Sequence, residues 1–321
     1  MKRIISLLLV ILMSAAVFAG CGNNTGSAPA DIKVVTTIFP IYDWIREVAH
    51  DDVDINIDLL LDNGVDLHSF QPTAKDIMDI SDCDLFIYVG GESDKWVDDT
   101  LTQANNKDMI VLDLMDILGD KAKEEELKEG MQGEEEEEAE DEPEYDEHVW
   151  LSLKNAALFT QKIAEALGKV DSQHAADFTA NADTYIEKLD ALDAQYQAAV
   201  DSASVKTLLF GDRFPFRYLT DDYGLDYYAA FIGCSAESEA SFETITFLAD
   251  KVDELGLKAI MQIETSDGKI AETIRDNTKT KDQEILTLDS MQAVTADRAA
   301  NGETYLTIME SDLEVLKKAL Q

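Results

Sequence analysis

The stretch Asp171–Val200, DSQHAADFTANADTYIEKLDALDAQYQAAV, decides how this chain is read. It is rich in Ala, Leu, Asp and Gln, and its apolar residues recur at helical spacing. Asp171-Ser172 supplies a helix cap, and the pattern continues to about Val200. A helix of about 28 residues spans about 40 Å at 1.5 Å per residue. That is long enough to bridge two lobes as a stiff spine, where a flexible hinge would show Gly, Ser or Pro. The helix before it reads as Leu151–Leu167, ended by Gly168.

Outward from this segment, short β-rich runs alternate with helical ones. Upstream, strands are expected at Lys33–Ile38, Val53–Leu59, Leu85–Val89 and Met109–Leu112, with helices at Ile41–Ala49, Thr73–Ser81 and Lys95–Ala104. Downstream, strands are expected at Val205–Phe210, Leu225–Phe231, Lys258–Ile263 and Glu284–Leu288. Helices are expected there at Phe214–Tyr223, Ser241–Leu255, Lys269–Asn277 and Glu303–Leu320. Alternating βα units imply parallel sheets with helices on both faces. The expected fold is therefore α/β, two βα lobes joined by a long rigid helix. Its divisions are a first lobe at 31–170 with an acidic insertion at about 120–147, the spine at 171–202 and a second lobe at 203–321.

The N-terminus reads as a lipoprotein leader. Lys2 and Arg3 precede the apolar stretch Ile4–Val17, which is too short and wrongly flanked to span a membrane. In Val17-Phe18-Ala19-Gly20-Cys21, cleavage before Cys21 would remove residues 1–20 and leave that cysteine for lipid. Residues 21–30, small and polar, read as a flexible tether. The expected location is extracytoplasmic, anchored to the outer face of a bacterial cell membrane.

The 321 residues carry 26 Lys and Arg against 66 Asp and Glu, a formal net charge of −40. Such an excess argues against nucleic acid, which needs a basic face, and attracts cations. From Glu124 to Glu147, including Glu134–Glu138, apolar residues are few, so no ordered structure is expected. Of the remaining cysteines, Cys83 precedes an apolar strand and reads as core. Cys234, in Gly233-Cys234-Ser235, reads as a loop thiol, and both are expected to be free.

Histidine is scarce, with four in the chain. His68 lies in a turn-like segment, GVDLHSFQPT from Gly64 to Thr73, and His148 closes the acidic run. Two neutral imidazoles on separate loops are a normal start for a transition-metal site. His50 reads as an exposed turn and His174 as the first turn of the spine. Glu264, at a strand end, either lines the cleft or caps the helix starting near Asp267, and the cap is the favoured reading.

Together these segments resemble the zinc- and manganese-binding solute-binding lipoproteins of metal ABC importers, the ZnuA-like family, over nearly the whole chain after the leader. Val34–Tyr42 resembles the family's opening strand and helix. Gly64–Pro72 resembles its first ligand loop with His68 in place, and Glu147–Leu151 its second with His148 in place. Leu286–Met291 resembles the segment that supplies a carboxylate ligand, here Asp289. The resemblance implies metal held in the cleft between the lobes, Zn2+ or alternatively Mn2+, and delivery to an ABC permease by a monomeric, non-enzymatic carrier.

One position departs from that pattern. Five residues before Tyr218 the family places a histidine or glutamate ligand, and this chain has Arg213, which cannot ligate a metal. Three arrangements stay open. Asp212 turns in as third ligand; or Glu237, Glu239 or Cys234 replaces it; or three protein ligands share the ion with water while Arg213 holds Asp289 or Asp212. A zinc hydrolase would show a His-Glu-x-x-His arrangement, which is absent here. An adhesion protein with structural metal is the other rival.

Overall fold

In the computed structural model, the described residues are 32–50, 53–133, 144–235 and 239–321. The leader, the tether, Cys21, Glu237 and the run Glu134–Glu138 lie outside them.

The described residues form two four-stranded parallel sheets of the same topology. The first contains β1 (Ile32–Thr36), β2 (Ile55–Leu59), β3 (Leu85–Tyr88) and β4 (Ile110–Asp113), in the order β2-β1-β3-β4. The second contains β5 (Thr207–Phe214), β6 (Asp226–Ile232), β7 (Ala259–Ile263) and β8 (Glu284–Leu288), in the order β6-β5-β7-β8. In each, the chain winds outward on one side of the first strand and returns on the other. That reversal opens a crevice beyond the carboxyl ends of the central strands, where α/β proteins bind ligands.

Helices α1 (Phe39–Ala49), α2 (Ala74–Asp82), α3 (Trp96–Thr102) and α4 (Leu114–Leu118) belong to the first half. Helix α2 opens with a reciprocal capping box between Thr73 and Asp76. Then come α5 (Leu153–Val170) and α6 (Ala175–Ser202), followed by α7 (Arg217–Tyr223), α8 (Phe242–Leu255), α9 (Lys269–Asn277), α10 (Ala296–Ala300) and α11 (Tyr305–Ala319). Among the described residues, no helix is long and apolar enough to cross a membrane.

Helix α6 is the spine. Its buried residues Phe178, Ala182, Tyr185, Leu189, Leu192, Tyr196 and Val200 follow one another at three- and four-residue steps, which is one face of a helix. Asn181 Nδ2 donates to Val48 O in α1 at 3.1 Å, and Tyr196 Oη donates to Met309 O in α11 at 2.6 Å. The helix is thus bonded to both halves, and one continuous apolar core runs from Val34 and Ile87 through Leu189 to Phe210 and Leu288. Close-packed cores resist continuous deformation, so the halves can tilt but not swing widely.

A second tie crosses the halves near the carboxyl ends of the strands. Trp150 Nε1 donates to Ser290 O at 2.8 Å, and Tyr305 Oη donates to Trp150 O at 2.7 Å, all of it buried. Tyr305→Phe removes one hydroxyl and leaves the Trp150 carbonyl without that donor. The expected cost is about 1–2 kcal/mol, read as a melting temperature lowered by a few degrees.

Three local expectations are corrected. Gly168 does not end α5. A Cβ there would stand 3.1 Å from Ala175 Cβ, so the glycine serves the close approach of α5 and α6 at their corner. Helix α6 starts at Ala175, with His174 rather than Asp171 or Ser172 at its N-cap. Strand β5 runs on to Phe214, with a register shift between Phe210 and Arg213, and α7 waits until Arg217. Phe214 precedes Pro215, and a residue before proline is pushed out of the helical region.

The acidic insertion is also more structured at its flanks than its composition implies. Glu125 N–H donates to Glu144 O at 2.9 Å and Asp146 N–H to Lys123 O at 2.8 Å. Gln132 N–H donates to Ala230 O at 2.9 Å, so a first-half segment lies along β6, the edge strand of the second sheet. Backbone bonds to an exposed sheet edge overrode the charge density that argued for solvation. Residues 134–143 between these flanks lie outside the described ones.

Candidate metal centre

His68 sits on a short 3-10 turn, Leu67–Ser69, in the loop after β2. Asp66 caps that turn by accepting the His68 N–H at 3.0 Å. His68 Nδ1 lies 2.8 Å from Ser93 Oγ, in the loop after β3. With Nδ1–H donated to that hydroxyl, the Nε2 lone pair is left free. His148 immediately precedes the turn Val149–Leu151 and is 0% exposed. Asp146 Oδ1 accepts both His148 N–H at 2.8 Å and its ring Nδ1–H at 3.0 Å, which again leaves Nε2 free.

The two Nε2 atoms face each other at 3.2 Å. Nitrogens bound at about 2.0–2.1 Å to one tetrahedral ion stand about 3.3 Å apart. Two lone pairs at this distance are satisfied by one shared cation, a proton or a metal ion. A carboxylate holding the far nitrogen of a ligating imidazole is the common support for such a site. Among the described residues, the donors that lie within 4.8 Å of one another are those of His68, His148 and Cys234. Cys234 lies in the turn that follows β6, so the group draws on both halves.

Burial shifts the titratable groups around the pair in opposite directions. Burial, and then the neighbouring His148, pull His68 down to about 3. Burial opposes the charged form of His148 too, but Asp146, Glu147 and Glu125 together outweigh it and raise that imidazole. Glu147 Oε1 accepts the Ser93 N–H at 2.8 Å, and burial pushes its carboxyl up. Burial and then Asp146 push Glu125 up, where it accepts the Cys234 N–H at 3.2 Å.

Other sequence-derived candidates have different places. Asp212 is held at the β5 bulge: Oδ1 accepts the Arg213 N–H at 2.8 Å and Oδ2 faces Ile263 N in β7 at 3.4 Å. It stands outside the three-donor group, because a bulge re-aims the side chains on either side of it. The Arg213 guanidinium holds neither Asp289 nor Asp212. Its Nη2 lies 2.8 Å from Asp66 Oδ2 and its Nη1 donates to Ser235 O at 3.3 Å. Burial would raise the Asp66 carboxyl, but Arg213 and His68 hold it below its usual range.

Asp289, after β8, also lies outside the group, with Oδ2 2.6 Å from Arg298 Nη2 and Oδ1 accepting the Met291 N–H at 2.8 Å. Met291 takes a left-handed φ of 59°, unusual for a side chain of its size. Glu264 is not a helix cap. It accepts from Ser290 N and Ser290 Oγ, both at 2.8 Å, and so braces the Asp289 turn, while Asp267 accepts the Lys269 N–H of α9. Glu239 acts on Lys269, and Glu237 lies outside the described residues. His50 is exposed at the end of α1, and His174 Nδ1 pairs with Asp171. Cys83 and Cys234 are both free thiols.

Sequence reasoning missed Asp66, Ser93 and Asp146. A signal for two of them was present: each site histidine follows an aspartate by two residues, in Asp66-Leu67-His68 and Asp146-Glu147-His148. That spacing lets the carboxylate accept the histidine's own N–H. The surrounding acidic run hid it at Asp146.

The family of zinc-uptake complex component A, periplasmic (ZnuA), matches residues 34–319. The chain is 30% identical over 297 residues to zinc-binding protein AdcA of Streptococcus pyogenes serotype M3, covering 90% of this chain and 56% of AdcA. It thus spans little more than half the length of that relative. It is 30% identical over 322 residues to the high-affinity zinc uptake system protein ZnuA of Bacillus subtilis, covering 98% and 97%. The Zn(II)-bound ZnuA-like domain of Streptococcus pneumoniae AdcA superposes with a TM-score of 0.71 at 27% identity, covering 91% of this chain and 99% of that domain. With twin parallel sheets, a helical spine and paired histidines at the strand ends, the chain belongs to the ZnuA family of zinc-uptake components.

Proposed function

We propose that the chain is an extracytoplasmic binding protein that captures Zn2+ between its two halves and delivers it to the permease of an ABC importer. The observation that carries this reading is the pair of Nε2 atoms 3.2 Å apart, each with its other ring nitrogen held by Asp146 or Ser93. The zinc-binding relatives support the same cargo. The family is a transport component, and catalysis is no part of the reading. Lipid at Cys21 would anchor a monomer at the outer face of the cell membrane.

His68 and His148 are the first ligands. Asp289 joins them on loading by exchanging Arg298 for the ion, on the turn that already bonds Trp150 through Ser290. Because these donors lie on loops of both halves, occupancy biases lobe tilt, and the loaded and empty forms present different surfaces to the permease. Imidazole donors suit zinc, and the general affinity order places it above manganese, the alternative cargo.

Calorimetric competition between Zn2+ and Mn2+ on chelator-stripped, tether-truncated protein tests this. One ion per chain, zinc preferred, is expected both with and without residues 134–143, and Asp289→Asn should weaken binding by about 10–100-fold. Weak binding to several sites, lost with the acidic segment, would sink the proposal.

A further inference from the structure

We infer that Cys234 is the third protein ligand of this centre, a thiolate where the family resemblance expects histidine or glutamate, and that Arg213 is the brace that positions it. The inference rests on the zinc-binding reading above and names the donor set of that same site.

The position that should carry the ligand carries Arg213, and Asp212 beside it is committed to β7. The vacated role needs a donor from the second half that reaches both imidazoles. Cys234 meets that requirement, its sulfur lying within 4.8 Å of a ring nitrogen of His68 and of His148. Ligand atoms on one tetrahedral zinc, with Zn–S about 2.3 Å and Zn–N about 2.0–2.1 Å, lie about 3.3–3.8 Å apart. Closing the remaining gap asks for a shift on the order of 1 Å.

The local sequence is built for this approach. A Cβ at Gly233 would meet Phe214 O at 2.9 Å and His148 Cε1 at 3.0 Å, so glycine is what lets the turn lie against the imidazole. Glu125, from the insertion's flank, accepts the Cys234 N–H and holds the turn from the outside. Arg213 ties both sides together. One arm of its guanidinium pairs with Asp66, the cap of the His68 turn, and the other donates to Ser235 O, next to Cys234. Arginine, with donors fixed in a planar fork, can make both contacts at once.

A thiolate has consequences for cargo. Soft sulfur favours zinc strongly over manganese, which prefers oxygen. Burial, and then Glu125, keep the thiol protonated before loading. On loading, the S–H bond breaks, its electron pair goes to the ion, and the proton passes to water. Nothing is oxidised or reduced.

Co2+ titration of the chelator-stripped, tether-truncated chain tests the inference, because thiolate-to-cobalt charge transfer gives an absorption that imidazole and carboxylate ligands do not. The unaltered chain should bind one Co2+ and show that band. Cys234→Ser should lose it and bind Zn2+ about 100-fold more weakly, with a smaller loss for Mn2+. Cys83→Ser should keep both band and affinity. Arg213→Ala should keep Co2+ bound while the thiolate band diminishes; an undiminished band would overturn the brace. A band that is absent from the one-to-one Co2+ complex of the unaltered chain, or that persists in the folded Cys234→Ser variant, would overturn the thiolate and leave the zinc-carrier reading standing. Failure of the unaltered chain to bind any ion one-to-one would overturn both.

Discussion

Replacing His148 with alanine is expected to weaken Zn2+ binding by about 10²–10³-fold and to destabilise the metal-free protein as well. The first effect follows from dividing the roughly 10–16 kcal/mol of a structural zinc site among about four ligands. The second follows from burial. The His148 ring is fully enclosed, and its removal leaves a cavity and strips Asp146 of a donor 3.0 Å away. His68→Ala separates the two effects. Its side chain is 13% exposed and its ring bonds to Ser93, so its loss should reduce zinc affinity similarly while costing less stability. Zinc titration and thermal melting of both variants check this, and unchanged zinc binding by His68→Ala would contradict the assigned site.

Acidification should stabilise the empty form and shrink the further gain that zinc provides. Burial raises Asp43 to about 6 and Asp94 to about 7, and burial together with Asp289 raises Glu264 to about 7. A carboxyl whose folded pKa lies above its unfolded one contributes stability that is fully present below about pH 4 and lost as pH rises through 6 to 7. His68, lowered to about 3, works the other way, losing its contribution as pH falls from about 6.5. The carboxyls outnumber it, and neutralising part of a −40 charge relieves self-repulsion in the same sense. The metal-free protein should therefore be more stable near pH 5 than near pH 8, by a few kcal/mol. Zinc must compete with protons for its ligands, so the increment in melting temperature on adding zinc should shrink over the same interval. Melting curves at the two pH values, with and without zinc, decide the matter. A metal-free protein that loses stability on acidification would refute the assignment of buried, proton-holding carboxyls.

The comparison of Asp66-Leu67-His68 with Asp289 shows where sequence reasoning stops. Both segments match ligand loops by resemblance. The first reaches the site, because its aspartate bonds within its own turn and aims the imidazole outward. The second is caught by Arg298, nine residues on, in an ion pair that no local pattern announces. Likewise, the acidic composition of Glu124–Gln132 said nothing of the unpaired edge of β6 that this segment covers.

What the sequence determined by itself is what depends on period and neighbour. The spine is legible because Phe178, Tyr185, Leu192 and Val200 repeat at the pitch of a helix. The βα alternation is legible because strands and helices bury apolar residues at different periods. Two of the proposed metal donors are legible because histidine is rare here and each lies in a polar loop. The tertiary structure alone decided that Arg213 reaches across to Asp66, 147 residues away, and that Gly233 lets Cys234 settle against His148. Contacts between loops at the ends of different strands are set by how two sheets and a rigid helix pack, and close packing is a property of the whole molecule.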